Sequence, residues 1–212
     1  MNLPPFTIDQ NSCWQIMPTF SNPIASCFID LEICKKLYDL APNQDWIEDP
    51  EADGSLGATT TNKQLLNSQP EIAEFIKEKC LSYIIDVLNY QTDIQFTSSW
   101  LTRTYKGGEC LRHSHTNSWY SGIIYFGEYD KDSAPILFYD PLHKTINVEP
   151  FNYNYYNSTS WRMEPKTNMM LMFPSYVQHK VLIHKTDALR YSLAFNIMPK
   201  GLVGHDDSVF EY

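Results

Sequence analysis

Two histidines one residue apart, His113 and His115, stand in the run Leu111-Arg112-His113-Ser114-His115-Thr116-Asn117. In an extended strand residues i and i+2 share a face, so both imidazoles are expected side by side. A pair of imidazoles on one sheet face is half of a metal site. Behind it comes Ser121-Gly122-Ile123-Ile124-Tyr125-Phe126, whose β-branched and aromatic residues suit a buried strand.

The remaining half is sought among the other histidines and the cationic side chains. His143 and His205 lie in polar contexts and read as solvated surface residues, while His184, beside a turn, reads as structural or exposed. His179 is different. In Leu171-Met172-Phe173-Pro174-Ser175-Tyr176-Val177-Gln178-His179 a strand turns at Pro174-Ser175 and presents a histidine at the start of the next one. Further on, Leu189-Arg190-Tyr191-Ser192-Leu193-Ala194-Phe195-Asn196 reads as a final strand. A period of two puts Arg190, Ser192, Ala194 and Asn196 on one face, and Tyr191, Leu193, Phe195 and Ile197 on the other. An arginine buried on the inner face of a barrel strand is costly without an anionic partner. A guanidinium beside a hydroxyl suits a carboxylate, which it binds through paired, charge-assisted hydrogen bonds. Three histidines and an Arg-x-Ser in this order match a non-heme iron site with a 2-oxo acid cosubstrate. Imidazoles would hold Fe(II), open positions would accept the 2-oxo acid and O₂, and the arginine would take the distal carboxylate.

These residues need a sheet to carry them. After Gln91 the pattern turns β, with candidate strands at 94–105, 110–115, 120–126, 135–139, 146–149, 160–163, 169–173, 177–184 and 189–198, separated by Gly, Pro and Asp turn signals. Upstream, apolar spacing predicts a helix from an Asp30 N-cap to Leu40, stopped by Pro42. A second helix is expected from a Ser68 N-cap, with Pro70 in its first turn and Glu71 at capping-box spacing, to about Asn89. Residues 14–24 read as extended, 43–67 as a long surface loop and 151–157 as an insertion-like loop. The fold class is therefore mainly β with N-terminal helices: a barrel or jelly roll with two backing helices. A single domain over residues 1–212 is expected, with helical support at 24–90 and a jelly-roll core at 94–198.

Composition narrows the function classes. At 43% hydrophobic and 14% aromatic, the chain of 212 residues can bury a sizeable core. Its net charge of -9, without a basic run, disfavours nucleic-acid backbone binding. Five cysteines without a CxxC motif argue against a disulfide framework and a thiolate zinc site. A Gly-rich phosphate loop and a GxSxG nucleophile turn are both absent. Residues Met1-Asn2-Leu3-Pro4-Pro5 lack the character of a signal peptide, and no apolar run approaches the ~18–20 residues that span a bilayer. A cytoplasmic protein with no membrane partner is expected.

The runs from His113 to Tyr125, from Phe173 to Val181 and from Arg190 to Asn196 together resemble the 2-oxoglutarate/Fe(II)-dependent oxygenase family found in marine bacteria and tailed phages. The similarity extends over residues 24–198, with Trp100 at its usual place before the histidine pair. The resemblance implies a double-stranded β-helix (jelly-roll, cupin-like) fold, Fe(II), 2-oxoglutarate and an oxidative, usually hydroxylating, reaction that releases succinate and CO₂. For a phage-encoded protein the setting would be the cytoplasm of the bacterial host. By position, His113 and His179 would be the first and last metal ligands, and Arg190, helped by Ser192, would bind the distal carboxylate of 2-oxoglutarate. Tyr125 stands where prolyl-hydroxylase-like enzymes offer a phenol to the same carboxylate.

One departure stands out. The wider superfamily has His-x-Asp or His-x-Glu, and here the residue two after His113 is His115, with Asn117 two beyond that. A three-histidine site (His113, His115, His179) is favoured. The alternatives are a His115/Asn117/His179 set and a carboxylate from elsewhere, with Asp140 best placed. Two other functions are weighed: a three-histidine cupin-like dioxygenase needing no 2-oxo acid, and a non-catalytic jelly-roll module with vestigial histidines or a structural Zn(II). Segments 43–67, 140–156 and 201–212 are expected to line the pocket, and they permit a peptide, a nucleobase or a small molecule as substrate.

Overall fold

The computed structural model describes residues 22–48, 56–142, 146 and 148–212. The chain starts with strand β1 (Ala25–Phe28) and helix α1 (Leu31–Leu40), continues through two short strands, β2 (Trp46–Glu48) and β3 (Gly57–Thr60), and reaches helix α2 (Pro70–Leu81). The β-rich part follows: β4 (Asp93–Thr104), β5 (Cys110–His113), β6 (Tyr120–Tyr125), β7 (Ile136–Tyr139), β8 (Ser160–Met163), β9 (Met169–Pro174), β10 (His179–Val181) and β11 (Arg190–Lys200). A small hairpin of β12 (Leu202–Val203) and β13 (Phe210–Glu211) ends it. The larger sheet runs β1-β9-β6-β11-β4-β3-β2 and the smaller β5-β10-β7-β8. Every pairing between these strands is antiparallel.

Period-two alternation explains the layers. On β11, Leu193, Phe195 and Ile197 join Ile33, Leu37, Ile76 and Ile84 in a core between the larger sheet and the helices. On β9, Met170 and Met172 point to that core, while Met169, Leu171 and Phe173 join Ile136, Phe138 and Tyr125 in a second one. Strand β9 is buried along its whole length, which is why its sequence is a continuous apolar run. The architecture is mainly β with two backing helices, as the apolar periodicity implies. No helix among the described residues is long and apolar enough to cross a membrane.

Local chemistry sets several boundaries. The Asp30 side chain accepts from the Glu32 N–H at 2.9 Å and caps α1. The cap of α2 differs from expectation: Gln69 is the N-cap, without a side-chain hydrogen bond, and the Ser68 hydroxyl instead donates to the Leu65 carbonyl at 2.8 Å in a preceding 3₁₀ turn. Beyond α2 a π-helical turn, Ser82–Val87, leads to Asn89 in a left-handed conformation at φ 59°. Residues 43–67 are not simply a surface loop. Among those described, β2 and β3 extend the larger sheet beside β4, and Thr60, Leu65 and Leu66 are buried. Short polar strands carry little periodic signal, and pairing with the long β4 decides their state. Strand β1, beside β9, was not foreseen. No strand forms at the described residues 146, 148 and 149. The expected extended segment at 14–24 lies, apart from its last three residues, outside the described residues, and so does His143.

Candidate metal centre

The two sheets enclose a cavity of about 400 Å³ whose walls include Trp100, His113, His115, His179, Arg190 and Ser192. Residues 57–59 of the first expected pocket segment also contribute, whereas the described parts of 140–156 and 201–212 do not. Two of the histidines face each other at one end of a single strand pairing. His113 on β5 and His179 on β10 are direct cross-strand partners, and their ring centroids lie 4.4 Å apart. The expected strand at 110–115 stops at His113, so His115 is not a strand neighbour of His113. It is carried on the following loop, held by a hydrogen bond from its N–H to the Ser175 carbonyl at 2.9 Å. Its ring still comes within 5.2 Å of each of the other two.

The three imidazoles can offer ligand nitrogens within 4.8 Å of one another. Nitrogens that share one octahedral or tetrahedral ion at about 2.1 Å lie about 3.0–3.4 Å apart, so binding would draw the most distant pair together by up to about 1.8 Å. Tautomers are set by the backbone. Nδ1–H of His113 donates to the Leu111 carbonyl at 2.7 Å, and Nδ1–H of His179 donates to the Val177 carbonyl at 3.1 Å. Each leaves Nε2 as the lone-pair donor, the arrangement that orients metal-binding histidines. Burial holds His179 down to about 3 and His115 to about 4, with the neighbouring His113 charge adding to both. For His179 the desolvating neighbours are Phe138 and Phe173, whose ring centroids lie 5.9 and 4.8 Å from its own. Both imidazoles are therefore neutral and ready to coordinate at physiological pH.

The two other proposed sources of a middle ligand lie elsewhere. Asn117 is an exposed turn residue at φ 54°, and neither it nor Asp140 lines the cavity. The Asp140 carboxylate accepts from the Leu142 N–H at 2.9 Å. Among the described residues, His113, His115 and His179 form the one cluster of His, Cys, Asp and Glu able to share an ion.

Farther into the cavity Arg190 is 2% exposed. Its Nε donates to the Ala134 carbonyl at 2.9 Å, Nη1 to the Ser192 hydroxyl at 3.4 Å and Nη2 to the Tyr125 hydroxyl at 3.3 Å. A guanidinium has five N–H donors, so two remain for a ligand. No carboxylate among the described residues pairs with it. Tyr125 is fully buried, and desolvation outweighs the opposing Arg190 charge to push its phenol up, so the O–H keeps its proton. The structure thus brings Arg190, Ser192 and Tyr125 together.

Sequence reasoning missed two contributors, Thr102 and Ala134, and read a third, His184, as structural or exposed. The Thr102 hydroxyl lies 2.7 Å from that of Ser192. Ala134 supplies both a carbonyl to Arg190 and an N–H to Nδ1 of His184 at 3.0 Å. His184 is 1% exposed, and its Nε2–H donates to the Ala188 carbonyl at 2.6 Å, so it is a buried bracket. Thr102 had no distinct signal either, since it stands on β4 among Thr97, Ser98, Ser99 and Thr104.

Residues 98–196 match the model of the family described as "Putative 2OG-Fe(II) oxygenase". The match indicates a 2-oxoglutarate-dependent oxygenase. No curated protein matches the chain. Among solved structures, one described as an oxidoreductase of the 2OG-Fe(II) oxygenase family from Burkholderia pseudomallei is similar, with a TM-score of 0.61 at 10% identity over 82% of this chain and 83% of that one. HygX from Streptomyces hygroscopicus, with nickel and 2-oxoglutarate bound, gives 0.59 at 12% identity over 84% and 83%. A Pseudomonas putida prolyl-4-hydroxylase gives 0.52 at 12% identity over 84% and 95%. At such identities the likeness is one of fold, the double-stranded β-helix.

Proposed function

We propose that this chain is an Fe(II)- and 2-oxoglutarate-dependent oxygenase that hydroxylates its substrate and releases succinate and CO₂. His113, His115 and His179 would hold the metal, and Arg190, Ser192 and Tyr125 the distal carboxylate of the cosubstrate. The observation that carries the reading is Arg190, a buried guanidinium with two unused donors, in the cavity that also holds three clustered imidazoles. A buried cation without an anion is costly, and the carboxylate of a bound 2-oxo acid would relieve that cost. The relatives crystallised with 2-oxoglutarate and nickel or iron support the same assignment.

Iron bound with 2-oxoglutarate supplies the oxidising chemistry. The protein's share is to bind, orient and exclude water. Arg190 and Ser192 fix one end of the cosubstrate, while the Tyr125 O–H, already accepting from Arg190, donates to the same carboxylate. Ile123, Ile136 and Phe173 give the cavity apolar walls, which strengthens these charge-assisted bonds. Continuity of the helix-side core with the larger sheet supports reading helices and jelly roll as one domain. The odd cysteine count supports a reducing, cytoplasmic setting.

Anaerobic addition of Fe(II) and 2-oxoglutarate should produce a visible metal-to-ligand charge-transfer band, and air should then yield succinate. Loss of the band in Arg190→Ala is expected. A metal-dependent oxidation of substrate without succinate would establish the three-histidine dioxygenase instead.

A further inference from the structure

At the end of the cavity away from Arg190, the larger sheet carries a second buried polar row that the proposed chemistry does not use. Ser98 on β4, Asn196 on β11 and Ser121 on β6 are register neighbours across three strands. The Asn196 amide donates to the Ser98 hydroxyl at 2.8 Å and accepts from the Ser121 hydroxyl at 2.7 Å. Ser121 has then spent its proton, so the Ser175 hydroxyl, 2.8 Å away, must be the donor to it. Ser175 is 0%, Ser121 2% and Asn196 6% exposed, and none of the three lines the cavity. Hydroxyls so buried cost stability unless every one is paired, and here the chain of donors closes.

The turn at the end of this chain holds two of the three histidines. The Ser175 carbonyl takes the N–H of His115, which has left β5 and has no strand to fix it. Two residues on, the Val177 carbonyl takes Nδ1–H of His179. The Ser175 N–H in turn donates to the Trp119 carbonyl at 3.0 Å. We propose that Asn196, Ser121 and Ser175 are positioning residues, which lock the turn at 174–177 to the larger sheet and so set His115 and His179 in one metal-binding geometry. The proposal rests on the reading of these histidines as metal ligands.

The test compares Ser175→Ala, Ser121→Ala and Asn196→Leu with Leu37→Ala, a cavity in the helix-side core, which contains none of residues 174–177. Ser121→Ala severs the same link should Ser175→Ala not fold. Amide hydrogen exchange of His115 is measured without metal, and Co(II) binding is followed by titration and by its d–d spectrum. The row variants should speed His115 exchange at least tenfold relative to β9 amides. They should also weaken Co(II) binding about 10–100-fold with an altered spectrum, the usual effect of losing an outer-shell partner. Leu37→Ala should lower Tm and change neither. Row variants that lower Tm while leaving His115 protection and the Co(II) spectrum as in the wild type would overturn the proposal. A wild-type chain that binds no Co(II) would overturn the metal-site reading, and the exchange comparison would still decide whether the row fixes His115.

Discussion

His184 and Arg190 are joined through a single residue: Nδ1 of His184 accepts the N–H of Ala134, and the Ala134 carbonyl accepts Nε of Arg190. Nε2–H of His184 also ties down Ala188, just before β11 begins. A histidine that never lines the cavity thus braces the guanidinium from both sides. His184→Ala should raise the KM for 2-oxoglutarate roughly 5–30-fold, the range expected for one or two lost hydrogen bonds. Co(II) affinity should stay unchanged. Steady-state kinetics paired with metal titration checks the separation.

Arg190→Met should affect stability and binding in opposite ways. Replacing an unpaired buried cation by an apolar side chain of similar length is neutral or stabilising, so Tm of the metal-free protein should hold or rise. Cosubstrate binding should fall about 100-fold or more, since a buried charge-assisted pair broken on one side costs about 3–5 kcal/mol. Differential scanning fluorimetry and calorimetric titration with 2-oxoglutarate report the two effects.

The middle ligand is tested by His115→Ala against His115→Asp. Alanine should weaken metal binding by two orders of magnitude or more. Aspartate returns the carboxylate of the wider superfamily and should retain the metal, lowering the net charge of the site by one. Equal metal affinity in the alanine variant and the wild type would remove His115 from the ligand set.

Depressed histidine pKa values give a signed pH dependence. His179 and His115 titrate at about 3 and about 4 in the folded chain, against 6.5 for an unperturbed histidine. The unfolded chain therefore binds more protons below pH 6.5, so their contribution to stability is intact above that pH. It is lost progressively as the pH falls towards 4 and then 3. Urea midpoints of the metal-free protein should drop across this window. His179→Phe, which cannot protonate, should flatten the lower part of the fall.

Gly122 is required by packing. A Cβ there would meet the Phe195 ring at 2.0 Å, and that ring is itself wedged edge-on against Phe96. Gly122→Ala should destabilise by about 1–3 kcal/mol through overpacking, with partial recovery when Phe195→Leu is added. Chemical denaturation of the single and double variants provides the check.

The period-two pattern of β11 was enough to put Arg190, Ser192 and Asn196 on one face and Leu193, Phe195 and Ile197 on the other, and the helix-side core follows it. Apolar spacing likewise located α1 and α2, because amphipathic periodicity is written residue by residue. Residues 57–60 escaped notice because a short polar strand has no periodicity of its own; it is a strand because β4 lies beside it.

The histidines mark the division most clearly. By itself the sequence determined which side chains are available: two imidazoles near one strand, a third after a turn, and an arginine on an inward face. Their types and order follow from local spacing alone. Only the tertiary structure decided the pairing. His113 meets His179 across a strand ladder and His115 reaches them from a loop, because the turn at 174–177 folds against the larger sheet. Register between distant strands and the hydrogen bonds of a buried turn are long-range properties, fixed by which faces pack together and by the need to pair every buried polar group.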